Sequence, residues 1–399
     1  MNIAATFRSR FDRYPRMLWL LGLGSFINVV GLSFIWPITT IYIHDHLGRS
    51  LTMAGVVLML HSGGGALGSL IGGYLFDRIG ARPVMLTGLL ASAVLIGLPG
   101  LVESWPLYVT VMILYGVAAT MVFPAMNALG AKAWPEGGRA TFNFIYVAHN
   151  MGVAVGTALG GLVAQHSFQG AFLSAAAVAM LFAAFVYLFV HDTQRDPADR
   201  AQEGAWAEAG GPVPWLPVVA LFAGFLMLWL IYVQWQGPIA VYMKGTGIPL
   251  SGYSLLWTLN GLVIVAGQPV IALVVRYVRS TAGQLVLGTV LYLASFGLLL
   301  AWDTYPAFVA AMVILTFGEM LLWPGIPAAV SEISPPARRG FLQGFIGSAA
   351  TAGRMLGPLL GGLLYDRFGY LPVLAVMAGL LVVPGACFLV YRRAASVYK

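Results

Sequence analysis

Long apolar runs, each cut off by charged residues or by proline and glycine, fill the chain from about residue 17 to residue 391. A helix needs about 20 apolar residues to cross the hydrocarbon core of a bilayer. Twelve runs satisfy this, at 17–42, 52–76, 84–102, 106–130, 141–164, 168–190, 215–242, 252–277, 283–301, 306–330, 341–364 and 371–391. The pattern predicts an all-α integral membrane protein of twelve transmembrane helices in two six-helix halves, 1–190 and 215–399. Residues 191–214 hold Asp192, Arg195, Asp196, Asp199, Arg200, Glu203 and Glu208 and form the one long polar stretch, a linker between the halves.

The halves echo each other. Pro37 in helix 1 matches Pro238 in helix 7, and Phe123-Pro124 in helix 4 matches Trp323-Pro324 in helix 10. Gly152, Gly156, Gly160 and Gly161 of helix 5 recur as Gly353, Gly357, Gly361 and Gly362 of helix 11, each 201 positions later. Parallel six-helix repeats are a transporter architecture, with the binding site near the midplane. Glycines at this spacing let helix backbones approach closely, so Gly152, Gly156, Gly160, Gly353, Gly357 and Gly361 are expected to pack helices together.

Composition narrows the class. Only 9% of the 399 residues are charged and 59% are hydrophobic, with a mean hydropathy of +0.85, against about 25% charged in a soluble domain. The net charge of +7 comes from Lys and Arg scattered between apolar runs, with no basic face for nucleic acid. One cysteine, Cys387, excludes an internal disulfide and a cysteine metal cluster. His44-Asp45-His46 reads as a solvated loop in preference to a metal site, so no metal is expected. With the N-terminus inside, seventeen of the 21 Lys and Arg fall on the cytoplasmic side. Arg49, Lys244 and Arg367 face out, and Arg354 lies within a helix. The positive-inside rule then puts both termini in the cytoplasm of a cell membrane. The first run is too long for a signal-peptide core and reads as a retained span. No GxxxxGK[ST], HExxH or GxSxG string occurs, so neither an ATP motor nor an enzyme is expected; the expected drive is a proton gradient, with no cofactor.

The loop after helix 2 reads Gly73-Tyr-Leu-Phe-Asp77-Arg78-Ile-Gly80-Ala-Arg82-Pro83. This resembles the helix 2–3 signature of the major facilitator superfamily, and the resemblance covers essentially the whole chain. It implies that Gly73, Asp77, Arg78, Gly80 and Arg82 form a cytoplasmic conformational latch that helps hold the outward-open state. The glycine series of helix 5 is similar to the antiporter signature of the twelve-helix drug/proton antiporter (multidrug exporter) branch, with Thr157 where that branch has proline. Helix 11 carries the fuller form, Gly357-Pro358 and Gly361-Gly362. Helix 4 of that branch usually bears an arginine linked to proton coupling, and alignment on Gly116 puts Met112 in its place. A second GxLxDRxG string, Gly362 to Gly369, is out of register with the repeat, and no latch role is expected for it.

A charge at mid-helix costs about 2.5–3.5 kcal/mol on insertion scales. Two such charges lie well inside the spans, Glu319 in helix 10 and Arg354 in helix 11. At 1.5 Å per residue their depths differ by about 3 Å, so they are within pairing range. Glu319 reads either as a protonation site and cation-attracting group or as the static partner of Arg354. Arg354 reads either as that partner or as a holder of an anionic group. His149 in helix 5 and His61 in helix 2 read as helix–helix hydrogen bonds or as proton relays. Asn28, Tyr115, Trp229, Tyr232, Gln236, Met312, Thr316 and Trp323 are candidate cavity-lining residues, since aromatic and methionine walls accept flat lipophilic molecules.

The expected function is secondary active transport by alternating access: proton-coupled export of lipophilic or cationic compounds, with Glu319 as the coupling group. An anionic or zwitterionic metabolite or lipid gripped by Arg354 is the alternative, and a non-transporting sensor is the reading from another class. The expected partners are a small-molecule substrate, protons and membrane lipids, with the chain acting as a monomer.

Overall fold

The computed structural model describes residues 15–134, 139–190, 213–335 and 338–395. No strand occurs among them, and the helical segments group into twelve runs, one for each apolar run of the sequence. These are α1 (Arg16–Ser33, then Thr39–Ile41 and Tyr42–His46), α2 (Leu51–Ile79), α3 (Ala81–Gly97), α4 (Trp105–Thr120 and Val122–Ala133), α5 (Arg139–His166) and α6 (Phe168–Phe189). The second half has α7 (Trp215–Tyr232, Val233–Gln236 and Pro238–Gly245), α8 (Leu250–Ala266 and Gln268–Tyr277), α9 (Thr281–Ala301), α10 (Tyr305–Ile333), α11 (Arg339–Phe368) and α12 (Tyr370–Leu380 and Val382–Ala395). Ten stretches among the described residues are long and apolar enough to cross a membrane, and the bent pair in α8 makes eleven. α11 has the length, 30 residues, but is not among those eleven.

The breaks have covalent causes. Pro37 lacks an N–H and falls within the turn over 34–38 that interrupts α1. In α7 the helix tightens to a 3₁₀ turn over Val233–Gln236 and restarts at Pro238 after Gly237. α8 bends by 58° at Gly267, just ahead of Pro269. Pro324 and Pro327, by contrast, lie inside an unbroken α10; Gln343 of α11 donates to the carbonyl of Pro327 at 2.7 Å.

Contacts divide the chain into two compact units, one of residues 1–36 and 64–195, the other of 37–63 and 196–399. They follow the sequence halves except for residues 37–63, which pack in the second unit. Residues 191–212, most of the expected linker, lie outside the described residues. The first unit's core joins α1, α2, α3, α4 and α6 through Leu21, Phe76, Met85, Val122 and Phe182. The second is centred on Trp235, Tyr253, Trp257, Tyr292 and Phe308.

The glycine series set the same seam in each unit. A Cβ at Gly152, Gly156 or Gly160 of α5 comes within 2.8, 2.5 or 2.6 Å of Phe26 O, Val30 O or Phe34 Cα of α1. At Gly353 of α11 a Cβ meets Leu226 O of α7 at 2.6 Å, and at Gly357 it meets Val233 Cγ2 at 2.3 Å. At Gly361 it runs into the Gln234 side chain. Only a hydrogen on Cα leaves the helices this close, so the 201-residue repeat is a repeat of helix–helix contact.

Candidate substrate and proton site

Glu319 sits in the second unit, halfway along α10, and is 5% exposed. Asn260 of α8 donates to its Oε2 at 2.9 Å, and the Tyr232 hydroxyl of α7 does so at 3.4 Å. The Asn260 amide also reaches Thr316 Oγ1 at 2.9 Å, and that hydroxyl donates to Met312 O at 2.7 Å. Three helices thus converge on one carboxyl. Tyr232 is suited to both of its protonation states, since a hydroxyl donates to a carboxylate and accepts from a carboxylic acid. Buried charge without such donors is far costlier.

No ion pair joins Glu319 to Arg354 among the described residues. The Arg354 guanidinium instead lies over the Trp229 ring, 4.8 Å from its centroid. Trp229 stacks in turn on Trp323 at 4.8 Å and an interplanar angle of 6°. Tyr232 and Phe225 meet Trp323 edge-on, at 5.4 and 5.6 Å. Guanidinium and two indoles therefore form layers, next to the buried Glu319. Arg354 is exposed although it lies at the middle of α11. A cation–π contact is worth about 0.5–2 kcal/mol, which offsets only part of the insertion cost of a mid-membrane arginine.

The other sequence candidates divide. Trp229, Tyr232 and Trp323 join this cluster. Met312 and Thr316 are completely buried and line no surface; Thr316 instead holds the amide that holds Glu319. Gln236 falls in the 3₁₀ turn of α7 and is half-buried. Its neighbour Gln234 is the structural glutamine, donating to Leu230 O at 2.7 Å and Gly357 O at 2.9 Å and so tying α7 to α11. Asn28, Tyr115 and His149 belong to the first unit: Tyr115 is buried, Asn28 and His149 half-buried. Met112 is 2% exposed there. Sequence reasoning missed Asn260 and Gln234, although each is an uncharged amide within an apolar run, which a bilayer-spanning helix carries only with a partner.

At the α2–α3 junction Gly80 has φ +86°, a left-handed conformation that requires glycine. Arg78 lies over the Tyr74 ring at 4.6 Å. Arg82 lies over the Tyr187 ring at 4.7 Å and donates to Tyr187 O at 2.7 Å, fastening α3 to the end of α6. A Cβ on Gly73 meets nothing within 4 Å, so its place in the motif is not steric. The string at Gly362–Gly369 folds alike: Gly369 has φ +80° and turns α11 into α12. Its aspartate is engaged, however. Asp366 accepts from Leu51 N at 3.1 Å, Thr52 N at 2.7 Å and Thr52 Oγ1 at 2.5 Å, capping the start of α2. Nearby, Lys244 pairs with Asp45 at 2.8 Å, and His44 lies 2.6 Å from the same carboxylate. Burial acts to raise Asp366, but the hydrogen bonds from Thr52, Leu51 and Ser50 outweigh it and hold the carboxyl below its ordinary range. The cap is therefore fully present at neutral pH and is lost as pH falls below the ordinary carboxylate value through the lowered one.

Residues 21–282 and 236–398 match the family model described as Major Facilitator Superfamily. The chain is 44% identical over 382 residues to an uncharacterized MFS-type transporter, YttB of Bacillus subtilis (strain 168), covering 95% of this chain and 96% of that one. It is 24% identical over 357 residues to the multidrug resistance protein MdtH of Aeromonas hydrophila, covering 87% of each. In fold it is similar to a POT family transporter solved with 5-aminolevulinic acid, with a TM-score of 0.78 at 16% identity, covering 96% of this chain and 97% of that one. It is also similar to the nucleoside transporter NupG, with a TM-score of 0.76 at 14% identity, covering 94% and 99%. This multi-pass membrane protein belongs to the Major Facilitator Superfamily of transporters.

Proposed function

We propose that this transporter exports lipophilic compounds by alternating access, driven by protons that load and leave Glu319. The observation that carries the reading is the mid-helix carboxyl held by Asn260 and by a hydroxyl able to serve either protonation state. A proton gradient supplies about 1.4 kcal/mol for each unit of pH difference, and a carboxyl between three helices couples that energy to helix packing. The aromatic layers of Trp229 and Trp323 give a flat apolar wall, and the likeness to MdtH, a multidrug resistance protein, is consistent with such cargo. The distribution of Lys and Arg supports a cell-membrane location with cytoplasmic termini. One chain holds both repeats, which supports a working monomer.

Sequence alone favours a cationic cargo attracted by Glu319. The geometry supports that part least, because Glu319 is buried and Arg354 is the exposed charge. The test is efflux of three aromatic dyes, one anionic, one zwitterionic and one cationic, from reconstituted vesicles under an imposed pH gradient. Efflux of at least one dye that stops when a protonophore collapses the gradient is the expected result. Identical efflux with and without the gradient, for every dye, rules out proton coupling.

A further inference from the structure

We propose that Arg354 and Trp229 form an anion subsite, and that the transported compound is aromatic and bears a carboxylate or a similar oxyanion. The inference rests on the reading of the α7, α10 and α11 cluster as the substrate wall. Arg354 is exposed at mid-helix, and no carboxylate or other acceptor takes its N–H groups among the described residues. The Trp229 indole N–H likewise has no acceptor. The exposed charge on this wall is thus cationic. Glu319 is held by Asn260 and Tyr232 and makes no ion pair with Arg354. A guanidinium with one face on an indole presents its edge as a planar fork, which matches the two oxygens of a carboxylate. The indole pair beside it offers stacking for a ring. A cationic compound meets the like charge of Arg354 here.

The purified full-length protein, in detergent and without any gradient, tests this by quenching of indole fluorescence with three naphthalenes. These are 1-naphthoate, its methyl ester and 1-naphthylmethylammonium. Saturable quenching by naphthoate is expected, at least about tenfold tighter than by the other two. Arg354→Gln should weaken naphthoate about ten- to a hundredfold, the loss expected of a charge-assisted hydrogen bond. Arg354→Lys should fall between, keeping the charge without the fork. Unchanged naphthoate binding in folded Arg354→Gln, a preference for the ammonium, or no naphthoate binding by wild type overturns the subsite. Binding at equilibrium needs no coupling, so failure here and failure of gradient-driven efflux are separate results.

Discussion

Glu319→Gln is expected to reduce gradient-driven efflux to the rate of empty vesicles while solute exchange at equal pH on both sides persists. Glutamine has nearly the shape of glutamic acid and keeps an oxygen for the Asn260 amide, so the packing of α8 and α10 is retained. It has no proton to gain or lose. Loss of efflux with exchange preserved is the signature of a coupling group, whereas loss of both points to a structural one. Efflux and exchange at wild-type rates would remove Glu319 from the mechanism. Asn260→Leu probes the same site from the other side. It leaves Glu319 with Tyr232 and Trp323 and should cost about 1–3 kcal/mol of stability, the usual penalty for a buried polar group stripped of a partner. If the two side chains act as a unit, Asn260→Leu/Glu319→Leu is less destabilised than the sum of the single variants, by a coupling of about 0.5–3 kcal/mol. Melting of the purified variants reads both numbers. Strict additivity would show that the 2.9 Å contact carries no energy of its own.

The pattern of apolar runs was enough to locate the helical runs among the described residues, because in a bilayer the length of an apolar stretch and the need to satisfy backbone hydrogen bonds leave little choice. The glycine series was legible for a related reason: at four-residue spacing it can only be a stripe, and in both units that stripe meets the neighbouring helix. What periodicity does not carry is the partner across space. Glu319 and Arg354 have similar depths, and pairing them was the economical expectation. The structure gives Glu319 to an asparagine 59 residues earlier and Arg354 to an indole 125 residues earlier. An unbroken α7 would carry Gln236 on the face of Trp229 and Tyr232, but Val233–Gln236 form a 3₁₀ turn ahead of Pro238. Met312 and Thr316 share a face with Glu319, but that face is packed against α8 and α9, so sharing it means burial. The string of Asp366 lies out of register with the repeat, which gives it no latch role. Register governs repeat symmetry, whereas a capping aspartate needs only a helix start within reach, and Leu51 and Thr52 supply one.

The α7–α11 seam is where the largest loss of stability is expected. Gly357→Leu should leave little or no monodisperse protein after extraction, and Gly156→Leu should do the same at the matching α1–α5 seam. In both places even a Cβ is too much. At Gly357 it stands 2.3 Å from Val233 Cγ2 and 2.8 Å from Leu230 O; at Gly156 it stands 2.5 Å from Val30 O and 2.7 Å from Ser33 Cβ. Flexible side-chain ends can move aside, but carbonyl oxygens within a helix move only with the helix. Overfilling a packed interior costs about 1–3 kcal/mol for added methylenes, and a leucine against backbone exceeds that range. The seam also carries the site: Gln234 reaches the Gly357 carbonyl, and Trp229, against which Gly353 packs, holds Arg354. Separating α7 from α11 therefore moves the aromatic wall as well. Gly297→Leu is the control, since this exposed glycine of α9 has nothing within 4 Å of its Cβ position. Fluorescence-detected size exclusion and a thermal melt should show Gly297→Leu close to wild type and both seam variants lost. Equal profiles for all three would mean that the helices do not pack at these glycines.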